Sequence, residues 1–483
     1  MGTEMSYLIG HSIATNLGQV MHPLLSVGIV QPRRPDSGNS MQQMSLGADA
    51  APTDWCDSSQ PAWPPQASRA QGLEQLEAFI SKAGRAYQTH RNTDLGPGRH
   101  GHVSLLSPYL RHRLIDETEV LSQVLAEHSQ SEAFKFVQEV FWRSYWKGWL
   151  EQRSLLWPEY QQQLPGILQR QTQNRRQSDD YNAAVNGATH IPLFNEWCEE
   201  LVRTGYLHNH ARMWFASIWI FTLKLPWQLG ADFFVRHLMD GDPASNTLGW
   251  RWVAGLHTAG KSYLATAKNI KTCAQARLAG RSDQELGLNK LATSTFNLPE
   301  LLSAKALQKT EIRWPAPETA DPAGYQANHG RTALLLTEED LTWMPSQQPQ
   351  GIVALSASPR SVIASCSDVV RHFTESAIHD GLQRFTGHYA SLGLPCAESA
   401  LDDEALVRWL VEQRMDAVVC AYAPMGPTRL RLRALRGQLA CKGISMRMQM
   451  RDYDRLVWPH ASRGFFQLGK RIPEFLDIMR LGA

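Results

Sequence analysis

The stretch Thr204–Trp252, TGYLHNHARMWFASIWIFTLKLPWQLGADFFVRHLMDGDPASNTLGWRW, decides how the rest of the chain is read. Thr204-Gly205 reads as a helix stop, because glycine takes the left-handed cap conformation without a side-chain clash. A helical pattern follows in which Asn209, Arg212 and Met213 stand at i, i+3 and i+4, so they share one face. Pro226 ends that pattern, and a second helix is expected to run to Asp240. The junction DGDPASN then sets two carboxylates two residues apart with an asparagine behind them, and Trp250 and Trp252 close the stretch. Asp and Asn are ordinary helix-capping types. Capping accounts for their presence but not for their spacing from the tryptophans.

Working outward, SEAFKFVQEVFWRSYWKGWLEQRSLLW (131–157) repeats the device: Glu139, Trp142 and Arg143 lie at i, i+3 and i+4. Alone, this would be an amphipathic helix carrying a surface ion pair of little energetic value. Further upstream, GLEQLEAFISKAGRAYQTHR (72–91) has apolar residues at helical spacing, and LGPGRHGH leads into VSLLSPYLRHRL.

These segments resemble the flavin-binding helical domain of the DNA photolyase/cryptochrome family. The shared pattern is roughly TGW-x-HN-x-x-RM, a tryptophan about a dozen residues before DGD, then N-x-x-x-W-x-W, with E-x-x-W-R and TS-x-LSPYL upstream. Ser104, Leu106 and Ser107 match the last of these, whereas Val103 and Leu105 replace a threonine and a frequently basic residue. The resemblance implies that FAD is held by Tyr87, Ser104, Leu106, Ser107, Phe136, Glu139, Arg143, Asn209, Arg212, Asp240, Asp242, Ser245, Asn246 and Trp250. Arg212 and Asp240 would pair beside the isoalloxazine, and Asn246 would face flavin N5. Backbone N–H groups at the start of the SPYL helix would cradle phosphate. Trp250 and Trp227 match two links of the family's electron-carrying tryptophan chain; the third cannot be found by spacing.

For substrate, the positions used by the family's thymine-dimer enzymes are Glu139, Trp142, Asn209, Met213 and Trp252. A flipped lesion would stack on the two indoles. Asn209, between His208 and His210, stands where relatives acting on 6–4 lesions carry paired histidines, which favours cyclobutane dimers. The implied reading is a light-driven repair enzyme acting on UV-damaged DNA. Its rivals are a cryptochrome-like photoreceptor without repair and a flavoprotein with light-independent redox work. Arg91, Arg99, Arg175, Arg176, Arg251 and Lys261 are the DNA-contact candidates. The loop after Trp252, GLHTAGKSYLATAKNI, departs from the family's GTDAAPYFR-like sequence.

The remainder fits a two-part chain: an all-helical FAD-binding domain followed by a Rossmann-like parallel α/β domain. Residues 1–60 are rich in Pro, Ser, Gly and Gln and read as an unfolded extension. Residues 61–310 carry the helical domain, including a polar surface loop over 160–186 and a helix from Pro299 to Leu307. The Pro/Ala/Gly-rich piece 311–330 reads as a linker. From Arg331 short apolar runs (RTALLL, GIVALS, DAVVCAY, ISMRMQ) alternate with helical patterns at 369–392, 402–414 and 427–442, the signature of parallel βαβ units. In the family this antenna-type domain comes first, so the reversed order implies a circular permutation, and a second chromophore of unknown identity could occupy it.

A net charge of +2 neither demands nor excludes nucleic acid. Seven scattered cysteines without a CxxC pair argue against zinc and against a four-cysteine cluster, so no metal is expected. The start of the sequence lacks the pattern of a signal peptide, and the longest apolar run is too short to span a bilayer. A monomeric cytoplasmic protein is the resulting expectation.

Overall fold

The computed structural model describes residues 65–258, 260–312, 314 and 330–481. The extension expected over 1–60 and most of the linker expected over 311–330 lie outside the described residues.

The first half is helical: α1 (Arg69–Ile80), α2 (Arg85–His90), α3 (Ser107–Arg111), α4 (Glu117–Glu127), α5 (Gln130–Glu151), α6 (Leu156–Gln173), α7 (Arg175–Val185), α8 (Pro192–Thr204), α9 (Asn209–Ser217), α10 (Trp227–His237), α11 (Pro243–Val253) and α12 (Ala267–Cys273). Helix α5 is the axis. Ser129 caps it by accepting from the Glu132 amide, and Phe136, Val137, Val140, Phe141 and Tyr145 bury its inner face. Gly205 ends α8 with φ +67, the left-handed cap read from the sequence. A π-helical turn at Ile218–Thr222 follows α9, and Pro226 resets the chain before α10.

The region 160–186, expected as a polar loop, is helical, made by α6 and α7. Glutamine is a good helix former. Leu156, Trp157, Tyr160, Leu164 and Ile167 recur at helical spacing and are buried, with Gln162 exposed and Gln163 part-buried between them. The helix expected from Pro299 shrinks to the single turn α13 (Ala304–Leu307), capped by Ser303 rather than opened by the proline.

Four strands follow, β1 (Thr332–Leu336), β2 (Gly351–Ala354), β3 (Ala417–Ala421) and β4 (Ser445–Gln449). They form one fully parallel sheet in the order β2-β1-β3-β4. Its two central strands are buried almost throughout, as a sheet covered on both faces requires. Helices α14 (Asp368–His388) and α15 (Asp403–Glu412) supply the crossover from β2 to β3, and α16 (Pro427–Ala440) that from β3 to β4, close to the expected boundaries.

The sheet and the helices lie in one compact unit, Thr53–Ala483. The crevice outside the carboxyl ends of β1 and β3, where strand order reverses and a parallel sheet usually takes its ligand, is filled by protein. Arg111 from α3 grips Glu339 through two bonds of 2.8 and 3.0 Å. Arg113 reaches Asp340 at 3.2 Å and Asp454 at 2.7 Å, and Arg360 lies 3.9 Å from Glu338. A second chromophore at this place would have to displace a buried ion network.

After β4 the chain returns to α5 through α17 (Asp452–Val457), α18 (Phe465–Gly469) and α19 (Ile472–Ile478). Tyr453 shares a 2.8 Å hydrogen bond with Ser144, and Phe475 stacks on Phe141. Gly148 admits the segment: a Cβ there would stand 2.8 Å from the Trp458 backbone.

Candidate functional site

The residues singled out in the sequence converge where α5 faces α2, α3, α9 and the α10–α11 turn. Arg212 projects from α9 and pairs with Asp240 at 3.0 Å, while its Nε donates to the Leu207 carbonyl. Tyr206 lies under the same guanidinium, 5.4 Å from ring centre to its carbon. The Asp240 carboxyl is held below the usual carboxylate range: burial opposes this, but Arg212, the Ser107 hydroxyl and Arg143 outweigh it. Asp242 caps α11 by accepting from the Ser245 amide at 2.8 Å and lies 3.3 Å from Lys147. Its pKa is also driven down, against burial, by Lys147, Arg111 and Arg143. Asn246 donates through Nδ2 to the Ala231 carbonyl at 2.7 Å, which leaves its own carbonyl oxygen as the atom that can meet a ligand.

On the opposite wall, Tyr87 packs edge-on against Phe79 and Phe136. Glu139 lies 3.9 Å from Arg91, and burial raises its carboxyl pKa although Arg91 and Lys135 pull it down. The Glu139 side chain nevertheless keeps 42% of its surface accessible. Ser104, Ser107, Arg143, Arg212, Ser245 and Asn246 are likewise only part-buried, among fully buried neighbours.

The phosphate end differs from the expectation. Helix α3 is five residues long, and Pro108 in its first turn removes one backbone donor. Leu105 before it adopts φ +55, a left-handed conformation unusual for a branched apolar residue. The Ser107 carbonyl is already taken by Arg143 at 3.2 Å.

Four assignments change. Arg251, expected at the DNA, is 1% exposed and bound to Glu300 through bonds of 2.5 and 3.1 Å. Its face of α11 points inward, and Glu300, which lies beyond the replaced loop, neutralises it. Trp142, expected to stack on a lesion, already stacks on Phe465, with ring centres 3.7 Å apart and planes 9° from parallel, and Trp146 stacks beside it. Trp252 lies against Tyr263 of the altered loop at 5.6 Å and 26°. Arg91 is tied to Glu139 rather than free at the rim. Arg99, Arg175, Arg176, Lys261 and Asn209 are exposed, and Met213 is part-buried.

Sequence reasoning missed Lys147, Tyr206 and Trp219. Lys147 is one turn beyond Arg143 on α5, a signal that was available. Tyr206 stands where the family pattern has tryptophan. Trp219 had no signal, because only the fold brings it to Trp250.

The residues fit FAD. Arg143 Nη1 and Trp250 Nε1 are buried donors without a hydrogen-bond partner among the described residues, and such donors are costly unless a ligand supplies acceptors. Guanidinium groups suit phosphate, and an accessible amide and carboxylates suit a flavin ring edge.

Comparison with known proteins agrees. Residues 136–280 match the family model described as the FAD-binding domain of DNA photolyase. The deoxyribodipyrimidine photo-lyase of Streptomyces griseus is 33% identical over 32% of this chain and 33% of its own. That of Alkalihalophilus pseudofirmus is 28% identical over 40% of this chain and 38% of its own. The chain therefore spans between a third and two-fifths of the length of these curated relatives. Among solved structures, a bacterial class III photolyase from Agrobacterium tumefaciens aligns with 25% identity and a TM-score of 0.36, covering 46% of this chain and 45% of that one. Helices α5 to α12 thus span the segment that matches a FAD-binding domain. More particularly, the matching model is that of DNA photolyase.

Proposed function

We propose that this protein is a light-driven DNA repair flavoprotein that splits cyclobutane pyrimidine dimers. The supporting observation is that Arg143, Arg212, Asp240 and Asp242, from α5, α9 and the α10–α11 turn, lie together, with Glu139 one turn before Arg143 on α5. Bound reduced FAD would supply the one-electron chemistry. Arg212 and Arg143 would hold it, Asp240 and Asp242 would fix those cations, and the Asn246 carbonyl would meet the ring edge. Glu139, with its pKa raised, is suited to hold a proton against the base edge of the lesion. Asn209 and Met213 would line the lesion's other sides. Arg175, Arg176 and Lys261 would meet phosphate, making binding salt-dependent. In this reading the chain is circularly permuted, with a helical domain over 61–310 and the sheet domain over 331–483, and works as a cytoplasmic monomer. Among the described residues no helix is long and apolar enough to cross a membrane.

A specific observation favours the second reading, a cryptochrome-like photoreceptor: both indoles expected to sandwich a lesion carry aromatic partners from the chain itself. The deciding experiment is repair of a thymine-dimer oligonucleotide by the purified, photoreduced protein, in blue light and in darkness. Light-dependent loss of the dimer, abolished by Glu139→Ala with FAD content unchanged, establishes repair. A protein that keeps and photoreduces FAD while the dimer persists is the photoreceptor.

A further inference from the structure

Trp250 has a neighbour that spacing alone did not reveal. The ring centres of Trp250 and Trp219 are 6.1 Å apart at 85°, and those of Trp219 and Tyr181 are 6.1 Å apart at 90°. The approach of the first pair is built into the backbone. A Cβ added at Gly230 would lie 2.3 Å from the Trp250 ring and 3.0 Å from Trp219 Nε1, so a residue without a side chain is required where the two indoles meet. Trp219 is held by its own bond, Nε1 to the Pro226 carbonyl at 2.9 Å. Trp219 and Trp250 are buried, whereas Tyr181 on α7 is half-exposed. Three oxidisable rings thus run from the candidate flavin site to the surface. Trp227, the expected second link, stacks on Tyr160, whose ring is fully buried.

We infer that Trp219 and Tyr181 are relay residues that carry an electron inward to Trp250. The inference rests on the flavin site proposed above. The step balances as follows. One electron passes from Trp250 to photoexcited oxidised FAD, Trp219 refills Trp250, and Tyr181 refills Trp219. Tyr181 gives its phenolic proton to water. A soluble thiol then returns a hydrogen atom to the tyrosyl oxygen, and two thiyl radicals so formed couple to a disulfide. Phenylalanines 215 and 233, which also touch Trp219, are too hard to oxidise to share this role.

The test is transient absorption of the full-length, FAD-loaded protein after a blue pulse, with FAD content read from the same samples. Wild type should give a long-lived neutral tyrosyl signal. Tyr181→Phe removes one hydroxyl and should replace that signal with a short-lived tryptophanyl one; Trp219→Phe should abolish the long-lived radical altogether. Tyr181→Phe decides the matter if Trp219→Phe does not fold. Wild-type radical in both variants, with its loss in Trp227→Phe, overturns the relay. FAD retained by wild type with no long-lived radical also overturns the relay alone, whereas failure of wild type to retain FAD overturns the site on which it rests.

Discussion

Arg212 shows how much one side chain carries at this site. It neutralises Asp240, caps the Leu207 carbonyl and covers Tyr206. Arg212→Ala would leave a buried carboxylate without its partner, and destabilisation of about 2–4 kcal/mol is expected, with loss of bound flavin. Urea denaturation and flavin absorbance after gel filtration check both. Glu200 offers a pH signature. It is buried beside Arg277 and Asp94, and burial lifts its pKa from 4.5 to about 7. Between those values the folded protein holds a proton that the unfolded chain has released. The contribution of Glu200 to stability is therefore fully present below pH 4.5 and falls as pH rises toward 7. Glu200→Gln cannot titrate, so wild type should lose roughly 3 kcal/mol of stability relative to the variant across that window. A pH-independent difference would refute the assignment.

At the scale of elements, the stack of Phe465 on Trp142 decides whether α5 can present an indole face. Phe465→Ala should cost about 3 kcal/mol of stability while exposing that face, so affinity for dimer-containing DNA should rise if the lesion is meant to dock there. Gel-shift titration of damaged against undamaged duplex measures it, and unchanged discrimination would show that the stack and the lesion do not compete. The strands and crossover helices were legible because the apolar runs from β2 onward alternate with helical patterns, and the pair Arg212–Asp240 was legible because its motif is local and rare. Helices α6 and α7 were not, since a glutamine-rich surface hid the stripe Tyr160, Leu164, Ile167. The covering of Trp142 was not legible either: its partner comes from the far end of the chain, and no local pattern encodes that contact. The burial of Arg251 needed Glu300, which lies beyond a loop that departs from the family.

For the whole molecule, the joint between helices and sheet is ionic as well as apolar. Arg111, Glu339, Arg113, Asp340 and Asp454 are all buried there. Such networks add little over apolar packing when intact but are expensive to break. Glu339→Ala should lower stability by about 3–5 kcal/mol, seen as a lower denaturant midpoint with an unchanged slope. A changed slope would show that the sheet and the helices unfold separately. The return of residues 452–478 to α5 bears on a different matter, the order of events during synthesis. Helix α5 leaves the ribosome early, yet Phe141, Trp142, Ser144 and Gly148 wait for partners that are made after the whole sheet. A nascent flavin domain therefore has an uncovered apolar seam until residues 452–478 emerge, a stage at which exposed surface invites aggregation. That returning segment acts as the keystone that closes the helical domain.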